Sequence, residues 1–248
     1  MSAGHLKSVA RLPREEREAI APYGARTTWP AGFMVYERGA PADGIFVVLR
    51  GQVVLRTQVG AGRTFVPWVA TAGETFGSEG LESGARYASH ARAEEESVTL
   101  HLGAARFSAL LREQPARALA VIRQLSAERT SLLEKFGQHA TLTVEQRLIV
   151  ALIRLAHGHE RSGDEAIAAA PTVVSRRLLG ELVGATRESI SLVLGRLTTE
   201  RLVRRDGNGL VITDLPRLGE RLETTGRTGA DVFDDADALP ATALGTRH

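Results

Sequence analysis

The chain has 248 residues, enough for two ordinary domains, each with a core of its own. Its 43% hydrophobic and 24% charged residues are typical of a globular protein, and no apolar run approaches the ~20 residues of a membrane span. The absence of cysteine excludes disulfides, thiolate metal sites and a cysteine nucleophile. The N-terminus lacks an apolar signal-peptide core, so we expect a cytoplasmic protein with no membrane partner. A net charge of +2 does not by itself indicate nucleic-acid binding.

Residues 26–102 have the pattern of short β-strands. Runs rich in Val, Ile, Phe and Leu are separated by Gly, Pro and Asp, which mark turns. Many short strands with this spacing predict a barrel, a roll or a jelly roll. Before them, Pro13 and the acidic residues that follow it predict a short helix within residues 1–23. The strands are predicted at residues 33–36, 45–49, 53–57, 65–69, 90–93 and 98–102.

From Ala105 the periodicity changes to that of helices, and Pro115 opens a long helix predicted to end at residue 140. Apolar residues recur along it at spacings of four and three, as in a coiled coil. Two interpretations are open: this seam packs on the chain's own β-domain, or it pairs with a second copy, with Arg129 setting the register. We favour self-association, because no comparably long apolar partner occurs elsewhere in the chain. The predicted seam is Ala118, Ile122, Leu125, Arg129, Leu132, Phe136 and His139.

A helix-turn-helix is predicted further along the chain. Ser175 is a good N-cap for its first helix, and Gly184 can end that helix with a positive φ. Thr186 caps the second helix, which leaves Arg187 and Glu188 on its outer face. In such a unit the first turn of the second helix enters the DNA major groove. The buried stripes are predicted from Leu178, Leu179, Leu182 and Val183 in the first helix and from Ile190, Val193, Leu194 and Leu197 in the second.

The segments around this motif predict a winged arrangement. A helix precedes it at residues 144–157, followed by a polar loop at 158–170. After it, residues 202–212 have the pattern of a strand, a Gly/Asn turn and a strand, which is a β-hairpin carrying Arg204 and Arg205. The helix pair alone is equally compatible with an ordinary helical hairpin. The hairpin that follows favours a winged helix-turn-helix.

The order of these elements resembles the CRP/FNR family of bacterial transcription regulators over roughly residues 12–215. The stretch GFMVYERGAPADGIFVVLRGQV at residues 32–53 is similar to the opening of that family's cyclic-nucleotide-binding β-roll. The resemblance implies an α+β fold with an N-terminal double-stranded β-helix (a β-roll or jelly roll), a long dimerisation helix and a C-terminal winged helix-turn-helix. It also implies a homodimer that binds double-stranded DNA and works with RNA polymerase. The predicted domains are a sensor at residues 1–114, the dimerisation helix at 115–140, the DNA-binding domain at 141–222 and a disordered tail at 223–248.

The resemblance also implies which residues contact DNA. Arg187 and Glu188 match the family's Arg-Glu pair, with the arginine on guanine and the carboxylate on the opposing cytosine. Where relatives of the catabolite activator carry a further arginine, this chain has Leu192, so we do not assume a TGTGA-type half-site. Ser191 and Thr186 complete the predicted contacts of the second helix. Phosphate contacts are expected from Ser175, Arg176 and Arg177, and Arg204 and Arg205 on the wing are expected to contact phosphate or to be only solvated.

An effector site is implied less completely. In the family, a Gly-Glu turn and an Arg-x-Ala strand form a phosphate cassette, in which the glutamate binds the ribose and the arginine binds the cyclic phosphate. Arg86 matches that arginine, but Ser78 replaces the glutamate and Glu79 comes one place later. Leu132 and Leu133 stand where cAMP-binding members present hydroxyl groups, which would leave a purine amino group unpaired at a cost of about 1–3 kcal/mol. We therefore expect an effector other than cAMP: another nucleotide, another small molecule, or none. The candidate effector residues are Gly77, Ser78, Glu79, Arg86, Ser89, Leu132 and Leu133.

No catalytic or metal site is predicted. His157 and His159 do not share a helix face, and no nucleophile–base pair or Walker-type loop is visible. The expected function is a homodimeric, sequence-specific DNA-binding transcription regulator, controlled by a small molecule through a hinge at residues 141–143. The alternatives are an effector-independent DNA binder with a vestigial pocket and a nucleotide-gated signalling module that acts through protein contacts.

Overall fold

The computed structural model describes residues 11–59, 63–160, 175–206 and 209–230. The N-terminal part is a β-roll whose strands are β1 (Ala25–Trp29), β2 (Met34–Tyr36), β3 (Gly44–Arg50), β4 (Gln52–Val59), β5 (Arg63–Thr71), β6 (Thr75–Phe76), β7 (His90–Ala93) and β8 (Ser97–Gly103). They form two four-stranded antiparallel sheets with the strand orders β1-β8-β3-β6 and β2-β7-β4-β5. The predicted roll is confirmed.

All six predicted strands are present, and two further strands were missed. β1 is exposed over most of its length and pairs only with β8, so it lacks the apolar alternation that marks a half-buried strand. β6 has only two residues, too few for any periodicity to show. Both omissions come from strands that are defined by backbone pairing instead of by side-chain pattern.

Two glycines hold the turns of the roll close together. Gly51, between β3 and β4, has φ +85°, and a Cβ there would lie 2.4 Å from Ser97 Oγ. A Cβ on Gly80 would lie 2.2 Å from the backbone of Gly44 at the start of β3. Because only glycine permits this approach, the 3-10 turn at Ser78–Leu81 packs directly on β3.

Three helices connect with the roll: α1 (Arg14–Ile20), α2 (Ala104–Glu113) and α3 (Pro115–Thr141). The predicted starts of α1 after Pro13 and of α3 at Pro115 are confirmed. Ile20 and Leu110 are fully buried and pack in one apolar cluster with residues of β3 and β8. α3 is therefore attached to the roll through its first turns.

The predicted seam on α3 is wrong in part. Ala118 is fully buried in the apolar cluster of the roll, and Leu125 packs against the same cluster, so these positions face the chain's own β-domain. Two other residues of the predicted seam, Ile122 and Phe136, are exposed, and Leu119 and Leu133 beside them are exposed as well. These four residues form the outer stripe of α3: Leu119, Ile122, Leu133 and Phe136 are 43%, 43%, 61% and 65% exposed. Adjacent stripes on this helix are both apolar, and periodicity alone does not tell which of them faces inward.

The C-terminal part contains α4 (Val144–Glu160), α5 (Arg176–Val183), α6 (Arg187–Thr199), β9 (Val203–Asp206), β10 (Gly209–Ile212) and α7 (Leu215–Ala230). β9 and β10 pair antiparallel, which confirms the wing. α4 continues to Glu160, so the loop predicted from residue 158 begins later, and residues 161–174 lie outside the described residues. α7 covers the predicted start of the tail at residue 223, because Leu218 and Leu222 anchor a helix on the domain core; residues 231–248 lie outside the described part.

The two parts share an apolar core. Val54 on β4 and Val66 on β5 are fully buried in one cluster with the leucines and isoleucines of α4, α5 and α6. Burial of this kind stabilises an interface by about 25 cal/mol per Å² of apolar surface removed from water. The C-terminal domain therefore packs on the sheet that carries β4 and β5. Within the described ranges, no helix combines the length and apolar character needed to cross a membrane.

Candidate DNA-binding surface and effector site

The helix-turn-helix is formed by local signals at each helix end. The Ser175 hydroxyl accepts a hydrogen bond from Leu178 N at 3.1 Å and begins α5. Gly184 ends α5 with φ +68°. Thr186 accepts from Ser189 N at 3.2 Å and begins α6. All three predicted caps are confirmed, and they set the direction of both helices.

The outer face of α6 presents the predicted base-contacting residues. Arg187 and Glu188 are exposed, Ser191 is half-buried, and Leu192 is 67% exposed. The buried stripe beneath them is the predicted one: Ile190, Val193, Leu194 and Leu197. A hydrogen bond from its own backbone N–H, followed by one from Thr186, keeps the pKa of Glu188 below its usual range. Glu188 is thus an ionised acceptor beside an exposed guanidinium.

The arginines at the start of α5 differ in their surroundings. Both Arg176 and Arg177 are exposed, but Arg177 Nε donates to Glu181 Oε1 at 2.8 Å. This hydrogen bond to a carboxylate raises the pKa of Arg177. A phosphate contact by Arg177 would therefore compete with Glu181.

Glu181 also ties the DNA-binding domain to the roll. Arg56 on β4 donates from Nε to Glu181 Oε2 at 2.9 Å and pairs through Nη1 with Glu94 at 2.6 Å. Burial raises the pKa of Glu181, but the hydrogen bonds from Arg177 and Arg56 outweigh it and lower the pKa overall. Sequence analysis missed this network, since Arg56 and Glu181 are 125 positions apart and no motif connects them.

The wing carries its two arginines on the surface. Arg204 and Arg205 on β9 are exposed, and Arg204 Nη2 lies 3.6 Å from Asp206 Oδ2. An exposed pair of this length contributes little to stability, so the guanidinium groups are accessible to an anion.

In the roll, the turn after β6 gathers several predicted effector residues. Gly77 has φ +75°, and a Cβ there would lie 3.2–3.3 Å from the rings of Phe46, Tyr36 and Tyr87. Glu79 Oε1 accepts from Ala88 N at 3.1 Å, which brings the 3-10 turn at Ser78–Leu81 against the segment before β7. Ser89 in that segment is buried.

Arg86, which was matched to the arginine of the family's Arg-x-Ala strand, lies outside the strands of the described structure. β7 begins at His90, and Arg86 forms only an isolated bridge with Pro41. Its side chain is exposed, and Nη1 donates to the carbonyl of Gly39 at 2.6 Å. The paired backbone needed to direct Arg86 along a strand is absent at this described position.

The α3 residue that interacts with the turn is Glu128. Burial, followed by the negative charges of Glu79 and Glu74, raises the pKa of Glu128 to about 8. The predicted residues Leu132 and Leu133 lie further along α3; Leu132 is half-buried and Leu133 belongs to the exposed outer stripe. The groups that interact with Glu79 from α3 are therefore carboxyl groups, and not the hydrocarbon side chains of Leu132 and Leu133.

Aromatic rings fill the space beside these carboxyl groups. Tyr36 and Tyr87 stack with ring centroids 3.7 Å apart, and Phe46 and Phe76 stack at 5.0 Å. Burial raises the pKa of Tyr87 to about 12. A cyclic phosphate placed beside Glu79 would meet the negative charge of that carboxylate, which disfavours an anion.

The predicted hinge has the geometry of a helix boundary. Thr143 accepts from Gln146 N at 3.3 Å, and Gln146 Oε1 accepts from Thr143 N at 2.8 Å, which together form a capping box for α4. Arg147 Nη1 donates to the carbonyl of Leu142 at 3.0 Å. These hydrogen bonds define one angle between α3 and α4.

The side chains of His157 and His159 lie outside the described residues. Among the described side chains, no three His, Asp or Glu groups are placed to hold a metal ion.

Comparison with known proteins agrees with this architecture. Residues 26–114 match the family model of the cyclic nucleotide-binding domain, and residues 146–221 match that of the Crp-like helix-turn-helix domain. Together they define a transcription regulator in which a sensor-type β-roll precedes a DNA-binding domain, and not an enzyme. The chain belongs to the CRP/FNR family of transcription regulators. No curated protein matches it in sequence.

Several solved structures share the fold at low sequence identity. A CRP/FNR-family transcriptional regulator of Thermus thermophilus has a TM-score of 0.67 and 22% identity, covering 82% of this chain and 100% of its own. FixK2 of Bradyrhizobium japonicum has a TM-score of 0.66 and 19% identity, with coverages of 82% and 96%. The c-di-GMP responsive global regulator CLP of Xanthomonas campestris has a TM-score of 0.63 and 23% identity, with coverages of 81% and 99%.

Proposed function

We propose that the protein is a homodimeric, sequence-specific regulator that binds double-stranded DNA. The observation that carries this proposal is the capped start of α6, where Arg187 and Glu188 are exposed side by side. In a major groove, Arg187 suits the two acceptors of a guanine and Glu188 the amino group of the opposing cytosine. Leu192 suits a thymine methyl group, and Ser191 lies one position before it on the same helix.

Phosphate contacts position such a helix on DNA without specifying sequence. Ser175 and Arg176 at the start of α5, and the backbone N–H groups at the Thr186 cap of α6, suit this role, since helix N-termini attract anions. Arg204 and Arg205 would contact the backbone from the wing. Arg177 would contact a phosphate only after its hydrogen bond to Glu181 is broken.

A second copy of the chain is the partner that we propose for the outer stripe of α3. Leu133 and Phe136 are large apolar side chains, and both are more than half exposed. Large exposed apolar residues on one face of a long helix are typical of a helix that pairs with another. Pairing would place two copies of α6 on one duplex, as recognition of a two-fold site requires. RNA polymerase is the further partner expected of a regulator that acts at promoters.

The test combines oligomeric state with DNA binding. Operator fragments would be selected from genomic DNA by mobility shift, and molar mass would be measured by light scattering with and without them. We expect a dimer, and we expect Phe136→Glu to give single chains that have lost specific binding. Arg123→Glu, on an exposed part of the same helix away from the stripe, is the matched control and should remain dimeric. A wild-type mass of one chain, both free and with operator, would contradict the proposal.

We propose that the roll does not bind a cyclic nucleotide. DNA binding is then either regulated by another small molecule or independent of any nucleotide. The negative charges of Glu79 and Glu128 repel each other at the turn, while Arg86, the residue that the resemblance gives to the cyclic phosphate, donates to Gly39 at the surface. We expect cAMP, cGMP and cyclic di-GMP to leave the melting temperature unchanged. A saturable increase with any of them would overturn this part of the proposal, and it would leave the DNA-binding assignment intact.

A further inference from the structure

A cavity separate from the predicted effector turn lies between the two domains. It has a volume of about 120 Å³ and is walled by β5 of the roll, the second half of α3, α4 and Leu182 of α5. Elements of both domains therefore contribute to one space. A ligand in this cavity would contact both domains at once.

The cations around the cavity outnumber their carboxylate partners. Arg154 donates to Glu134 at 2.9 Å and to Ser131 at 3.0 Å, so its charge is paired. Glu74 accepts from Arg11 at 3.2 Å and from Thr71, so this carboxylate is fully engaged.

Lys135 and Arg147 complete the cationic wall. Among the described residues neither has a carboxylate partner: Lys135 Nζ donates to the carbonyl of Val66 and lies 4.8 Å from the centroid of the Phe65 ring, and Arg147 donates to backbone carbonyls. The cavity therefore has a surplus of positive charge, which favours an anion.

A buried donor at the cavity wall also favours an anion. Within the described part of the chain, Arg147 Nε is buried and has no hydrogen-bond acceptor. An unpaired buried donor is unfavourable, and native structures rarely leave one without a protein, water or ligand partner. A guanidinium group donates only, so the missing partner must be an acceptor.

The rest of the wall is apolar. Trp68, Val150, Leu155 and Leu182 line it together with Ala151. An engineered cavity of about 150 Å³ holds one benzene molecule, so this space suits a body of about one ring. The occupant should combine a negatively charged head with a small apolar body.

We propose that this cavity binds a small organic carboxylate with a ring-sized apolar body, and that the ligand regulates DNA binding by bridging the two domains. The regulatory part rests on the proposed function, whereas the binding part stands independently. The ligand's carboxylate would lie toward Lys135 and Arg147, with its ring against Trp68 and the apolar residues of α4. Because the walls belong to both domains, binding favours the orientation in which α5 packs on the roll.

That orientation bears on DNA binding through Arg177. In it, Glu181 receives hydrogen bonds from Arg56 and Arg177 together. A ligand that stabilises this arrangement keeps Arg177 away from phosphate. We therefore expect the ligand to weaken operator binding, and by linkage the operator to weaken ligand binding by the same factor.

The pH dependence identifies the cation that holds the anion. Burial, followed by the positive charge of Arg154, lowers the pKa of Lys135 to about 7, and the charged or titratable groups that face it are Arg154, Arg147, Glu74 and His139. Burial also lowers the pKa of His139 below its usual value, so His139 is already neutral above pH 7. An anion prefers the ammonium form, so affinity should fall as the pH rises above about 7, with proton uptake on binding.

The experiment uses benzoate as the probe and the full chain without DNA. Calorimetry at about pH 7 should show saturable binding of benzoate and none of benzamide, which has the same ring without the charge. Lys135→Met, which keeps the apolar stem, should weaken binding at least about tenfold, and Ala151→Phe should abolish it by filling the space. Arg123→Met, on the exposed surface of the same helix, should bind like wild type. Circular dichroism would check that each variant is folded.

Each outcome decides the proposal. No benzoate binding, or equal affinity for wild type and Lys135→Met, would overturn the site, and equal binding of inorganic phosphate would show that the ring contributes nothing and would also overturn it. Benzoate binding with unchanged operator affinity would overturn the regulatory part. Absence of any operator complex would be a failure of the proposed function instead, and the calorimetry would still decide whether the cavity is a binding site.

Discussion

The surface of the helix-turn-helix and the boundary between the two domains use charge in opposite ways. On α6, Arg187 and Glu188 are exposed at the capped start of the helix. Beside the effector turn and at the boundary, Glu128 and Lys135 respectively are half-buried, and their pKa values are shifted to about 8 and about 7. The first arrangement presents charge to a macromolecule. The second holds charge where desolvation is costly, which is a common property of ligand sites and switches.

The largest effect should come from the support beneath the exposed face. Ile190 is fully buried under α6, so Ile190→Ala should destabilise the DNA-binding domain by about 2–5 kcal/mol. Leu192→Ala on the same helix is the control: its side chain is 67% exposed, and it should change stability by less than about 0.5 kcal/mol. Urea denaturation would measure both. Equal losses for the two variants would mean that α6 is packed differently.

The next effect concerns recognition. Arg187→Ala should weaken operator binding by about 1–3 kcal/mol and relax the preference at one base pair. Arg176→Ala should weaken all sequences similarly and reduce the salt dependence, because it would lose a phosphate contact. Mobility shifts on single-base operator variants at two salt concentrations separate the two roles. If both substitutions act alike, the assignment of base and phosphate contacts is wrong.

Beside the effector turn, Glu128→Gln tests the cost of the half-buried carboxyl group. The folded-state pKa of Glu128, about 8, lies above its ordinary value of 4.5, so the folded protein binds this proton more tightly. The stabilisation of the folded state by this proton is complete below about pH 4.5 and is lost as the pH rises through about 8. The variant, which resembles the protonated form, should be close to wild type at about pH 5 and exceed it by about 1–2 kcal/mol at about pH 9, less than the full pKa shift would give because Glu128 is only half-buried.

Thermal melts across this pH range give the measurement. Lys135 titrates in the same range in both proteins, so the difference between Glu128→Gln and wild type isolates Glu128. Glu82→Gln, in an exposed turn, is the control and should produce no such trend. A difference that stays constant with pH would show that Glu128 is solvated.

The smallest effect should come from an exposed ion pair on α1. Glu18 accepts from Arg14 at 2.8 Å, but their side chains are 60% and 84% exposed. Glu18→Gln should therefore change stability by less than about 0.5 kcal/mol. A clearly larger loss in urea denaturation would weaken the contrast between solvated and buried charge.

The fold was largely predictable because its signals are local. Ser175 and Gly184 set the ends of α5, Thr186 sets the start of α6, and Pro115 starts α3. Each of these signals acts within a few residues. The strands with alternating apolar residues were found for the same reason. The short β6 and the exposed β1 were missed, since backbone pairing with distant strands defines them.

The same difference between local signals and contacts of distant residues applies to the candidate sites. The sequence alone determined the recognition surface, because caps and a 3.6-residue period place Arg187 and Glu188 outside whatever the rest of the chain does. Only the tertiary structure decided which stripe of α3 faces outward, that Glu128 interacts with Glu79, and that Arg56 holds Glu181. It also decided that Lys135, Arg147 and Trp68 surround one cavity. These relations depend on how separate elements pack, and burial and charge pairing between residues far apart in the chain leave no periodic signal in the sequence.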